Sequence, residues 1–87
     1  MCSSDLENYP NPFNPRTTIR FNLPEAGQVR LAVYDLAGRE VRVLVDEWRQ
    51  DGMHEVNFDG GGLPSGTYLY RVVTDHGNMS KTMTLVK

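Results

Sequence analysis

Cysteine occurs once in this sequence of 87 residues, histidine twice and alanine three times, and no apolar run grows long. The lone thiol, Cys2, cannot close an internal disulfide, so folding has to rest on packing alone. One cysteine and two separated histidines also fall short of the three or four closely spaced ligands that a structural zinc takes. No stretch approaches the roughly 18 consecutive apolar residues of a membrane span, and no basic segment followed by an apolar one precedes Cys2, as a secretory or lipidation signal would require. Basic charge is not in excess either. Nine Lys and Arg against eleven Asp and Glu leave a net charge of −2, which offers no broad positive field to nucleic acid.

At this length the chain is one domain, and folding should bury roughly 60 to 65 per cent of its extended surface. Loops must therefore be short. The scarcity of alanine stands beside nine valines and six threonines, and β-branched side chains suit a pleated surface better than a helix. Hydrophobic residues at 39% are too many for a disordered chain.

The apolar pattern alternates with a period of two through most of the sequence. Ile19, Phe21 and Leu23 oppose Thr18, Arg20 and Asn22; Val29, Leu31 and Val33 oppose Arg30, Ala32 and Tyr34. After a break at Asp35-Leu36-Ala37-Gly38, Val41, Val43 and Val45 alternate with Glu40, Arg42 and Leu44, so these two runs read as a hairpin. A helix competes over residues 40–48, and the branched residues there favour a strand. Residues 46–52, polar apart from Trp48, read as a connection, with the tryptophan over an edge of the fold. His54, Val56 and Phe58 form the inward face of a fourth strand, closed by Asp59-Gly60-Gly61-Gly62. Tyr68, Tyr70 and Val72 lie on one face of a central strand, and Met79, Met83 and Leu85 on one face of the last, where Lys81 interrupts the apolar side. An inward charge on a terminal strand guards against edge-to-edge aggregation. Six strands separated by turn signals predict an all-β, immunoglobulin-like antiparallel β-sandwich of six to seven strands. The seventh is expected from the proline-rich lead-in or from the Trp48 region. In that lead-in, Asn8-Tyr9-Pro10-Asn11-Pro12-Phe13-Asn14-Pro15, the prolines stiffen the chain, and Tyr9 and Phe13 are expected to pin it to the domain.

Catalytic chemistry finds little support. His54 reads as a packed residue and His76 as a solvated one at a turn tip, neither beside a nucleophile and an orienting group. Asp35, Asp46, Glu47, Asp51, Asp59 and Asp75 fall in or beside loops, where calcium is an open possibility, although turn carboxylates more often accept backbone N–H groups. The triple glycine lacks the Gly-Lys-Ser/Thr of a phosphate loop. Tyr34, Trp48 and Tyr9 are the candidates for a carbohydrate platform, each reading first as a core or edge-capping residue. No enzyme and no cofactor are expected.

Five pieces in order, Asn8-Tyr9-Pro10-Asn11-Pro12-Phe13-Asn14-Pro15, Thr18-Ile19-Arg20-Phe21, Val33-Tyr34-Asp35-Leu36-Ala37-Gly38-Arg39-Glu40-Val41, Gly62-Leu63-Pro64-Ser65-Gly66-Thr67-Tyr68 and Lys81-Thr82-Met83-Thr84-Leu85-Val86-Lys87, make the chain resemble the type A C-terminal sorting domain of the type IX (Por) secretion system. The resemblance covers residues 8–87, with residues 1–7 expected to be a disordered or added end outside the domain. It implies a non-catalytic signal at the end of a larger cargo, carried through the periplasm, recognised by an outer-membrane translocon and commonly removed by a sortase-like surface peptidase. The protein would then be secreted or held at the cell surface. The same resemblance places translocon recognition around Pro64, Gly66 and Tyr68 and along the last strand through Lys81, Leu85, Val86 and Lys87. Two other readings remain open. The immunoglobulin-like part of flagellar hook-capping proteins is similar in its Asn-Pro-Phe-Asn-Pro and Tyr-Asp-x-x-Gly elements, and a carbohydrate- or adhesion-binding accessory module would use the exposed aromatics.

Overall fold

The computed structural model describes residues 6–75 and 77–86. His76 and Lys87 lie outside them, as do residues 1–5 of the end expected to be disordered. The described chain forms seven strands: β1 (Leu6–Tyr9), β2 (Arg16–Leu23), β3 (Gly27–Tyr34), β4 (Glu40–Arg49), β5 (Gly52–Asp59), β6 (Gly66–Thr74) and β7 (Gly77–Leu85). They build two antiparallel sheets, β1-β2-β5 and β4-β3-β6-β7, packed face to face as an immunoglobulin-like sandwich. The chain changes sheets between β2 and β3, between β4 and β5 and between β5 and β6, so β3 and β6 lie inside the larger sheet while β4 and β7 form its edges.

The alternating residues fill the space between the sheets. Ile19, Phe21 and Leu23 of β2, Val29, Leu31 and Val33 of β3, and Tyr68, Tyr70 and Val72 of β6 are all buried. From β5 only Phe58 is fully buried. His54 is half-buried and stacks on Phe21 across the strand pair, with ring centroids 5.4 Å apart. Its Nε2 bonds the Gln50 carbonyl at 2.7 Å, which leaves Nδ1 facing Arg49 Nη1.

Three sequence expectations need correction. The first concerns the third strand of the pattern, β4, whose valines do not share one face. The β3–β4 register shifts between Leu31 and Ala32 and again between Val33 and Tyr34, and each extra residue re-aims the side chains around it. Val45 is buried and Val41 and Leu44 pack against the core, while Val43 turns outward. Second, residues 46–49 are not a connection: β4 runs on through Trp48 to Arg49, because Gly27, Gln28, Val29 and Arg30 of β3 supply paired backbone alongside. Third, the ordered chain begins before residue 8. Leu6 and Glu7 belong to β1, and Leu6 is in the core opposite Phe21. This short strand, which takes in Asn8 and Tyr9 at the start of the lead-in, is the seventh, and the Trp48 region extends β4 instead.

Candidate recognition site

Residues 10–15 leave β1, cross the open end of the sandwich and enter β2. Their peptide bonds Tyr9–Pro10, Asn11–Pro12 and Asn14–Pro15 are cis. Phe13 is the anchor: it is fully buried and meets Phe58 edge-on at 5.9 Å. Tyr9 does not help, since its ring is 78% exposed on the outer face of the smaller sheet. The second anchor is polar. Asn8 points inward from β1, and its Oδ1 accepts from the Tyr70 hydroxyl at 3.0 Å. Its amide nitrogen reaches the Thr17 hydroxyl at 3.3 Å, and Thr17 in turn donates to the Pro10 carbonyl at 2.9 Å. Buried polar atoms are thus satisfied by one another. Burial, with the negative charge of Glu7 adding to it, pushes the Tyr70 phenol up to about 12.

The same lead-in holds the end of β7. Phe13 N–H donates to the Thr84 carbonyl at 2.9 Å, Val86 N–H donates to the Phe13 carbonyl at 2.8 Å, and Thr84 N–H donates to Asn11 Oδ1 at 3.1 Å. Phe13 and Leu85 form a parallel bridge. The backbone groups at the close of this edge strand are therefore covered from the outside by a segment more than 70 residues earlier.

The turn before β6 meets the same end. Gly66 pairs with Leu85, Thr67 with Thr84 and Tyr68 with Met83. Tyr68 donates its hydroxyl to the Pro64 carbonyl four residues back, at 2.6 Å, in the manner of the tyrosine corner of immunoglobulin-like sandwiches. Gly66 has φ of +151°, and Gly60 lies so close to Leu85 and Phe13 that a Cβ there would stand 3.1 Å from Leu85 Cδ2. The triple glycine thus begins with a close approach between chain segments.

Of the residues singled out in the sequence, Pro64, Gly66, Tyr68, Leu85 and Val86 come together at one end of the sandwich. Tyr68 and Leu85 are buried there and shape the end from within, whereas Pro64 and Val86 are exposed. Lys81 lies apart, farther up β7 opposite Tyr70, exposed and without an acidic partner among the described residues. Lys87 falls outside those residues. Asn8, Asn11 and Thr17 were missed. A short polar side chain beside proline reads as turn chemistry, and nothing local announces that its partner is a distant tyrosine or strand.

Two of the loop carboxylates are engaged by local structure. Asp35 Oδ1 accepts the backbone N–H groups of Ala37 and Arg39 at 2.9 Å. That pair, led by Arg39, holds its carboxyl below the usual range. Asp59 is lowered likewise, first by the Gly61 N–H and then by Arg16. Among the described residues no three of Asp, Glu, His or Cys gather into a cation site. Trp48 is 59% exposed on the edge strand β4, and Tyr34 lies under the Arg71 guanidinium at 5.5 Å. Among the described residues no helix is long and apolar enough to cross a membrane.

A comparison with curated proteins found no match. A comparison with family models matches residues 7–86 to the secretion system C-terminal sorting domain. That span takes in the lead-in, both sheets and the closing strand, and the chain belongs to this family, the C-terminal sorting domains of type IX secretion.

Proposed function

We propose that the chain is the non-catalytic signal that directs a larger cargo protein from the periplasm through the type IX outer-membrane translocon to the cell surface. The translocon reads the end where Pro64, Gly66, Tyr68, Leu85 and Val86 meet, together with Lys81 farther up β7 and with Lys87, and a sortase-like surface peptidase then acts on the delivered protein. The family match over residues 7–86 carries the sorting role. The placing of the contact is supported by the meeting of the Gly66 turn with the close of β7, where exposed Pro64 and Val86 stand on a floor made by Tyr68 and Leu85. A folded signal of this kind works through shape, so its buried residues matter by holding the exposed ones in place.

The test is a secreted reporter fused ahead of this chain in a bacterium that has the type IX route. Deletion of residues 84–87 should leave the reporter in the periplasm. Because Leu85 belongs to the core, the exposed substitution Val86→Asp serves as a second arm. It should reduce surface delivery while the melting temperature of the purified chain stays within a few degrees of wild type, roughly the range of an exposed substitution. Normal delivery of both variants would refute the reading.

A further inference from the structure

In a β-strand the backbone groups of alternate residues point to the same side. Thr84 turns its N–H and carbonyl away from β6, toward Asn11 and Phe13. By the same period, Asn78, Ser80 and Thr82 also turn theirs outward from β7. No described residue forms a backbone hydrogen bond with them, because the bonds from the lead-in reach only the close of the strand. Among the described residues the edge over residues 78–82 is therefore left unpaired, up to where Asn11 and Phe13 begin.

The face of that edge turned toward the other sheet carries Met79 and Lys81. Met79 is partly exposed and lines, with Leu23, Pro24 and Val72, a cleft of about 210 Å³ between the sheets. Two residues on, Lys81 offers an exposed ammonium with no acidic partner among the described residues. An added strand would place its side chains opposite these two in cross-strand pairs. Lys81 calls for a carboxylate and Met79, beside the cleft, for an apolar group.

We propose that β7 accepts an extended segment of a partner protein as an additional strand along residues 78–82, with an acidic and an apolar side chain two residues apart facing Lys81 and Met79. Backbone hydrogen bonds supply the affinity, and the two side-chain positions supply the selection, as in other strand-addition complexes. The Asn11–Phe13 cap fixes where the added strand must end, and so its register. A second copy of this chain fits less well. Antiparallel pairing of two β7 edges about Ser80 sets each Lys81 beside the other's Met79 and leaves both ammonium groups without a carboxylate.

This inference rests on the sorting role and names the chemistry of its partner. The test uses the same reporter fusion. Ser80→Pro deletes an N–H that points to solvent, a substitution edge strands tolerate. It should lower surface delivery about tenfold, the effect of one lost hydrogen bond with its geometry, while Ser80→Ala delivers normally. Lys81→Glu leaves every backbone group in place and should also lower delivery about tenfold by setting like charges together. Circular dichroism and melting of the purified chains check the fold, and if Ser80→Pro unfolds, Lys81→Glu decides alone. Normal delivery of folded Ser80→Pro and Lys81→Glu, with delivery still lost on deleting residues 84–87, overturns strand addition and leaves the sorting role standing. Light scattering that shows a wild-type dimer broken by Ser80→Pro also overturns it, by assigning the edge to a second copy.

Discussion

At the scale of single residues, the polar atoms buried beneath the lead-in decide how firmly it is held. Tyr70 brings a hydroxyl into the core, where leaving it unpaired would be costly, and Asn8 Oδ1 meets it at 3.0 Å. Tyr70→Phe removes the donor and leaves the acceptor, so it should cost about 1–2 kcal/mol of stability in a urea titration near neutral pH. The titration of the phenol gives a second signature. Its value is raised from the ordinary 10 to about 12 in the folded chain, so the folded state holds the proton more tightly than the unfolded one. That contribution is complete below about pH 10 and is lost as pH rises toward about 12, because the unfolded chain releases the proton first. Wild-type stability should fall across this window more steeply than that of Tyr70→Phe. Equal slopes would show that the phenol does not feel its burial. Asp35 works on a smaller scale. By accepting the Ala37 and Arg39 N–H groups it turns Tyr34-Asp35-Leu36-Ala37-Gly38 into a closed loop, with Gly38 at φ of +86°.

At the scale of elements, the Gly66 turn is the place where backbone conformation and the candidate recognition end coincide. Its φ of +151° is one that a branched side chain adopts only under strain. Gly66→Val should therefore destabilise the chain by about 1–3 kcal/mol, seen as a lower midpoint of chemical unfolding with an unchanged slope, and an unmoved midpoint would show that the turn can relax. Strands β2, β3, β5 and β6 were legible because each has one buried face, and a period of two then writes itself into the sequence. The hairpin turn at Asp35 and the interrupting Lys81 were legible for the same local reason. β4 was not. Its regular Val41, Val43 and Val45 conceal two register shifts, which are set by the pairing with β3 and leave no mark in the alternation. The start of β1 at Leu6 and Glu7 was missed because Leu6-Glu7-Asn8-Tyr9 is too short to show a period, and it becomes a strand only through β2 beside it. Of the candidate recognition end, the turn and the closing strand could be read, while the cap over them could not, since it depends on contacts between the lead-in and the last strand.

At the scale of the whole molecule, those end-to-end contacts mean that the closing strand takes its final form only once the lead-in is seated. Thr84 and Val86 are held by Asn11 and Phe13, and Leu85 is packed beside Gly60 and Phe13. Contacts this distant in sequence form late, because the loop between them must close first. Local opening of the cap is also cheaper than global unfolding, so it can be measured by itself through amide exchange. Asn11→Ala removes the acceptor of the Thr84 N–H and nothing from the apolar core. The Thr84 amide should then exchange about tenfold faster, in line with the loss of one hydrogen bond. Val86, whose N–H goes to the Phe13 carbonyl, should change less, and Tyr70 and Val72 in β6 should not change. Exchange at Thr84 equal to that of wild type would mean that the close of β7 is held by its pairing with β6 alone. Acceleration confined to Thr84 and Val86, accompanied by weaker surface delivery of a fused reporter, would instead tie the order of the last strand to its use as a signal.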